Sequence, residues 1–283
     1  MDRESREAIG GRLGASIRTV RALSGGDINE AYAVTLDDDR VCFVKTNRRA
    51  PPGMFPAEAR GLAWLAEPRA LRLPSVIAAD DRWLILELVQ PGSPAPSFDE
   101  DLGRGLAAIH RAGAPGFGLD HDNFIGRLPQ SNRPAQSWSD FYREQRLEPQ
   151  VRLASDAGLM PPSLRRAFTR LFTVLAERVG PAEPPARLHG DLWGGNVMCD
   201  DRGGPCLFDP AAYAGHREVD LAMMRLFGGF GPRTFAAYTE SYPLADGHVG
   251  RVRLYQIYPL LVHVNLFGGG YVESLAAAVA SQL

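Results

Sequence analysis

The 283-residue sequence predicts an α+β protein in two lobes: a small five-stranded antiparallel N-terminal lobe (1–90) and a larger, mostly helical C-terminal lobe (91–283). Three observations carry this. Residues 19–23, 28–36 and 41–46 read as strands, the second of them alternating, parted by glycine- or aspartate-rich turns, as in an antiparallel meander. Residues 90–96 read Gln-Pro-Gly-Ser-Pro-Ala-Pro, a composition break typical of a linker or hinge. Beyond it, apolar residues recur mainly at helical spacing.

Taken in order, residues 2–13 predict a short helix. The first strand enters Ser24-Gly25-Gly26-Asp27, and Asp37-Asp38-Asp39-Arg40 turns the second strand into the third, Val-Cys-Phe-Val-Lys-Thr at 41–46. Ala59, Leu62, Ala63 and Leu65 give residues 56–67 a helical face, with Glu58 in the first turn. Residues 75–79 and 83–88 complete the sheet. Helices are expected over 97–112, 137–157, 162–179, 217–229, 232–241, 249–266 and 271–282. The Gly/Pro-rich residues 113–134 read as a long irregular loop, of the kind that carries function when ordered.

Composition limits the function classes. With 45% hydrophobic and 23% charged residues, the chain can build real cores. A net charge of −2 with scattered arginines offers no stripe for nucleic acid. Cys42, Cys199 and Cys206 form no CxxC pair, which suits a reducing compartment. The N-terminus mixes both charges without an apolar run, and His263, Asn265 and Gly268-Gly269-Gly270 interrupt the apolar C-terminal stretch. A cytoplasmic protein without a membrane partner is expected.

The most informative segment is His-Gly-Asp-Leu-Trp-Gly-Gly-Asn at 189–196, followed by Phe-Asp-Pro at 208–210. An aspartate, an asparagine five positions on and an aspartate thirteen beyond that form a phosphoryl-transfer constellation. Asp191 can take a proton from an attacking hydroxyl, while Asn196 and Asp209 supply oxygens to Mg²⁺. Residues 197–199 and 206–208 read as strands joined by Asp200-Asp201-Arg202-Gly203-Gly204, a hairpin that returns Asp209 to Asn196. A transition-metal reading of His189, Asp191 and His216 matches no closed zinc spacing. A purely structural Asp191 cap would leave Asn196 and Asp209 unexplained.

Of the 31 Lys+Arg residues, Lys45 is the only lysine. An arginine bias explains the others but not this exception, unless a guanidinium fails there. A compact ammonium reaches between phosphate oxygens where a planar fork does not. Lys45 on the third strand and Glu58 on the next helix match the ion pair that aims a lysine at the α/β-phosphates of ATP. Gly25-Gly26 would let backbone N–H groups approach those phosphates, although a plain Gly-Gly hairpin reads the same. Backbone near Glu87–Val89 is the expected adenine hinge. Asp220 reads either as a brace for the catalytic loop or as a helix N-terminal acid. Trp138 could offer an aromatic face to a sugar, but aromatic clusters on helices are more often core.

Gly25-Gly26-Asp27-Ile28-Asn29-Glu30-Ala31-Tyr32, Lys45, Asp122-Asn123-Phe124-Ile125-Gly126, HGDLWGGN, DPAAYAGHREVDLAM at 209–223 and Asn265–Tyr271 together resemble the fructosamine/ketosamine-3-kinase family across nearly the whole chain. Trp193 and the GHREVDLAM run are more specific than the HGD…N…D pattern, which aminoglycoside phosphotransferases and choline kinases share. The resemblance implies a protein-kinase-like fold and Mg²⁺- and ATP-dependent phosphorylation of the 3-hydroxyl of ketosamines. Free small molecules or glycated protein lysines would be the acceptors, and loss of the sugar regenerates the amine. Expected acceptor contacts are Trp138, Trp193, Tyr213, His216 and Arg217. The chain departs from some family members at Asp27, where a cysteine can stand, and at Ala214, where a second tyrosine often follows Tyr213.

Overall fold

The computed structural model describes residues 1–23 and 29–283, so the expectation for Gly25 and Gly26 falls outside the described residues. Helix α1 (Arg3–Leu13) begins at Asp2, whose carboxylate accepts the Ser5 N–H and satisfies one of the free donors of the first turn. Strands β1 (Ile17–Leu23), β2 (Glu30–Leu36), β3 (Val41–Thr46), β4 (Val76–Ala79) and β5 (Trp83–Glu87) form one antiparallel sheet in the order β1-β2-β3-β5-β4. Helix α2 (Met54–Ala66) lies between β3 and β4 in sequence and buries Phe55, Leu62 and Leu65. In register, Lys45 sits opposite Ala31 on one side and Leu84 on the other.

The second lobe opens with α3 (Phe98–Ala112). The region expected to be an irregular loop contains a hairpin, β6 (Asn123–Ile125) and β7 (Leu128–Gln130), turning at Gly126 with φ of 58°. Its strands are three residues each, too short for alternation to show. The helix expected over 137–157 is three pieces: α4 (Trp138–Phe141), a π-helical turn over Tyr142–Leu147, and α5 (Glu148–Asp156). Then follow α6 (Pro162–Arg178), β8 (Ala186–Leu188), β9 (Val197–Cys199), β10 (Pro205–Leu207) and β11 (Tyr213–Gly215). Helices α7 (Glu218–Phe227), α8 (Pro232–Ser241), α9 (His248–Phe267) and α10 (Val272–Ala280) complete the chain. Among the described residues, no helix is long and apolar enough to cross a membrane.

Three apolar clusters organise the two lobes. One lies behind the sheet, with Ile9, Val34, Val44 and Ile85. A second fills the helical lobe around Phe141, Phe168, Leu188 and Tyr258. The third joins Leu62 and Leu65 of α2 and Leu84 of β5 to Leu102 and Leu106 of α3 and to Leu192 and Leu207. Burial of Leu192 and Leu207 therefore ties the segments carrying Asp191 and Asp209 to the same core that seats α2, the helix of Glu58.

Candidate active site

Strand β8 delivers His189-Gly190-Asp191 and β11 pairs beside it, with Tyr213 opposite Leu188. Gly190 has φ of 82°, and a Cβ there would lie 2.1 Å from the Ala211 oxygen, so only glycine allows the two segments to approach this closely. The next residue, Asp191, is half-buried. The Asn196 Nδ2 donates to the Asp191 carbonyl at 2.8 Å and to its Oδ2 at 3.2 Å. Burial pushes the Asp191 carboxyl up to about 7, against the lowering effect of the Asn196 hydrogen bond and with the charges of Asp209 and Asp220 adding to the rise.

The β9–β10 hairpin returns the chain as its spacing requires: the Phe208 N–H donates to the Asn196 carbonyl at 3.1 Å. Asp209 follows with φ of 55°, a left-handed conformation that Asp tolerates better than bulkier residues. Its Oδ1 lies 2.6 Å from Lys45 Nζ, which also reaches Glu58 Oε1 at 2.7 Å. Burial would lower the Lys45 ammonium, but the carboxylates of Asp209 and Glu58 outweigh it and hold the group above its ordinary value. Burial in turn raises the Glu58 carboxyl, because one ammonium serves two carboxylates. A single buried cation thus joins β3, α2 and the segment after the hairpin.

Behind this centre, Asp220 Oδ2 accepts the His189 N–H at 2.7 Å and its Oδ1 accepts the Gly190 N–H at 2.9 Å. His110 Nε2 is 3.2 Å from the same carboxylate, and its Nδ1 is 2.8 Å from the Tyr238 hydroxyl. His189 Nε2 lies 3.0 Å from the Phe208 carbonyl while its Nδ1 receives the Asp191 N–H at 3.3 Å, a pattern that assigns the proton to Nε2. Burial lowers its pKa, so the ring is neutral at neutral pH. His189 therefore bridges the segments of Asp191 and Asp209. Its position two residues before Asp191 is a signal sequence reading treated only as a rival metal ligand. His110 carries no comparable signal.

Asp220 gives a stability prediction. Burial works to raise its pKa and is outweighed by the His110 hydrogen bond, the nearby histidines and the Gly190 N–H, leaving the folded carboxyl below the ordinary 3.8. A depressed acid stabilises the fold above its unfolded pKa and loses that contribution as pH falls through the folded value. Asp220→Asn places an amide NH₂ against one of the donors and should cost about 3–5 kcal/mol. The difference in Tm between wild type and variant is expected to be constant near neutrality and to shrink below about pH 4; a gap independent of pH would refute this account of Asp220.

Several expected contacts sit elsewhere. Glu87 turns its carboxylate to Arg72 Nη2 at 2.6 Å, and its N–H donates to the Ser75 carbonyl at 2.9 Å, which leaves the adenine hinge expected near Glu87–Val89 to the other backbone groups of that segment. Arg72 also pairs with Asp200 and Asp201 on the hairpin turn, a link no pattern among the arginines signals. The Val89 side chain is buried. Trp138 is core: its Nε1 donates to the Tyr255 hydroxyl at 3.0 Å and its ring stacks on Phe141 and Tyr142. Tyr213 and His216 are buried, the latter stacked on Tyr255, and Arg217 forks onto Glu183 at 2.6 and 2.7 Å. All four side chains expected at the acceptor are packed internally, on aromatic neighbours or, for Arg217, on Glu183, and the Tyr213 hydroxyl and His216 Nε2 are left without a hydrogen-bond partner. Trp193 is 41% exposed, with its ring over Gly195.

The sheet-over-helices fold and the Lys–Glu, Asp, Asn and Asp set define a phosphotransferase of the protein-kinase-like fold. Matched by the family profile "Fructosamine kinase" over residues 2–283, the chain belongs to that family. It is 41% identical to a probable ketoamine kinase of Thermus thermophilus over 92% of each chain. It is 36% identical to the chloroplastic protein-ribulosamine 3-kinase of Arabidopsis thaliana, over 94% of this chain and 83% of that one. A crystal structure of a provisionally named fructosamine-3-kinase from Thermobifida fusca superposes with a TM-score of 0.90 at 41% identity, over 98% of this chain and 97% of that one. The gentamicin complex of APH(2")-IIa, at 14% identity and a TM-score of 0.65, shares the fold, covering 100% of this chain and 96% of that one.

Proposed function

We propose that the protein transfers the γ-phosphoryl group of ATP to the 3-hydroxyl of a ketosamine, destabilising the adduct so that the free amine is recovered. The observation that carries this reading is Lys45 Nζ held 2.7 Å from Glu58 and 2.6 Å from Asp209, with Asn196 bonded to Asp191. Asp191 would accept the proton of the acceptor hydroxyl as its oxygen bonds to the γ-phosphorus and the bond to the β-bridging oxygen breaks. Lys45, oriented by Glu58, would engage the α/β-phosphates, and the Gly25-Gly26 turn would cover them. The donor set fits Mg²⁺: Asn196 commits its amide nitrogen to Asp191 and, at 3.5 Å, to the Asp209 carbonyl, which leaves its amide oxygen and the Asp209 carboxylate as hard ligands for a cation. Bound there, Mg²⁺ would neutralise charge on the β- and γ-oxygens. Residues 1–90 would act as the nucleotide lobe and 91–283 as the acceptor lobe, in the cytoplasm. Support for the acceptor class comes from the ketoamine and ribulosamine kinase relatives.

The test is ADP release with ribulosyl-lysine, erythrulosyl-lysine, fructosyl-lysine, kanamycin and choline, with phosphorus NMR locating the new ester. Turnover is expected with the ketosamines, and on the 3-hydroxyl. Turnover confined to kanamycin or choline would replace this reading with an amino-sugar or choline phosphotransferase. Nucleotide binding with no transfer to any acceptor would make the protein a binding module.

A further inference from the structure

Arg146 is 0% exposed and makes no ion pair among the described residues. Its guanidinium packs on the rings of Tyr213, Phe141 and Tyr258 at 3.8, 4.6 and 5.7 Å. Its Nη1 donates to the Ser131 carbonyl at 2.6 Å and its Nη2 to Asn132 Oδ1 at 2.7 Å, while Nε has no partner. An isolated buried charge costs several kcal/mol, so a core that needed only filling would be better served by an apolar side chain. Cation–π contacts offset part of this, about 0.5–2 kcal/mol. The residue sits in the π-helical turn over Tyr142–Leu147, where a wider turn alters the direction of side chains relative to a regular helix.

The amide bound by Arg146 begins a relay that ends at the catalytic segments. Asn132 Nδ2 donates to Asn123 Oδ1 at 3.0 Å, and Asn123 Nδ2 donates to the Ala212 carbonyl at 2.7 Å. Gln130 Nε2 joins from the side, donating to Asn123 Oδ1 at 2.8 Å and to the Ala211 carbonyl at 3.2 Å, and its Oε1 accepts the Tyr258 hydroxyl at 2.6 Å. Ala211 returns its own N–H to the His189 carbonyl at 2.9 Å. Below the same segment, the Tyr213 ring that Arg146 covers lies opposite Leu188, the residue before His189. Because the guanidinium can only donate, it holds the Asn132 amide oxygen toward itself and so fixes which way that amide faces, and that in turn fixes Asn123.

We infer that Arg146 is a positioning residue for phosphoryl transfer: through Asn132 and Asn123 it sets the main chain at 211–212, and so the placement of Asp209 toward Mg²⁺·nucleotide. This rests on the kinase reading above. Groups that hydrogen-bond a metal ligand directly typically change metal affinity by about 10–100-fold, and a relay acting through the main chain at 211–212 is expected at the lower end of that range. The test is a double-mutant cycle of Arg146→Lys and Asn123→Ala, read by calorimetric binding of Mg²⁺ with a non-hydrolysable ATP analogue and by the Mg²⁺ dependence of kcat. Arg146→Lys keeps the charge and loses the fork; Asn123→Ala removes the last link and leaves the cation in place. Each single change is expected to weaken Mg²⁺·nucleotide binding by about 10-fold or more, and the double variant by little more than either alone. Additive effects, or binding equal to wild type in soluble, folded Asn123→Ala, would overturn the inference. Should Arg146→Lys not fold, Asn132→Ala replaces it in the cycle. Wild type failing to bind Mg²⁺·nucleotide would instead overturn the kinase reading.

Discussion

Asp191→Asn is expected to lower kcat by about 10²–10⁴-fold while nucleotide affinity stays close to wild type. The substitution is nearly isosteric, and the stronger of the two Asn196 bonds goes to the Asp191 carbonyl at 2.8 Å rather than to its carboxylate at 3.2 Å. Asn196 should therefore keep its place, and with it the metal side of the site. What disappears is a base. Burial holds the carboxyl at about 7, so the ionised form is a better proton acceptor than a surface aspartate and has a driving force matched to neutral pH. The remaining rate would come from positioning and charge neutralisation, which a loose transition state uses most. Single-turnover kinetics with saturating ketosamine, beside a direct measurement of nucleotide Kd, separates the two effects. Near-full turnover in the variant would remove Asp191 from the role of base.

How far the sequence led depends on the length of each pattern. The meander with Lys45 and the helix with Glu58 were readable because their strands run six or seven residues and α2 thirteen, long enough for periodicity to register. The β9–β10 hairpin was readable from its turn residues and from the need to return Asp209 to Asn196. Strands β6, β7, β8 and β11 escaped notice, since three residues carry no period and their partners lie far apart or across a tight turn. The π-helical turn escaped for a different reason: one extra residue in a turn leaves the apolar spacing almost unchanged, while it redirects Arg146. The internal packing of Trp138, Tyr213, His216 and Arg217 was not readable, because residue type alone does not distinguish an aromatic face turned to a sugar from one turned to Tyr255 or Arg146. Tertiary partners decide that, and they come from α9 and the π-helical turn, remote in sequence.

Lys45→Arg should lose most activity, on the order of 10²-fold, although it keeps the charge; a displacement of about 1 Å at a reacting centre is enough for such a loss. The Lys45 side chain is 5% exposed, and its ammonium already reaches two carboxylates within 2.7 Å, on α2 and after β10. A guanidinium is wider and planar, and on a β3 flanked by β2 and β5 it has to push Glu58 or Asp209 aside to fit. Displacing Asp209 would carry the proposed metal ligand with it. Lys45→Met tests the complementary point, because it leaves Glu58 and Asp209 without their shared cation. Glu58 is already raised by burial and by Asp209, so in that variant it should take up a proton rather than stay as an unpaired buried charge. Two outcomes are thus expected to part company: Lys45→Arg with near-normal Tm and poor nucleotide binding, and Lys45→Met with a Tm that rises on mild acidification as Glu58 protonates. The lone lysine among 31 cationic residues would then be explained by shape. If Lys45→Arg bound nucleotide and turned over like wild type, a guanidinium would suffice at this position, and the retention of lysine there would have no chemical cause.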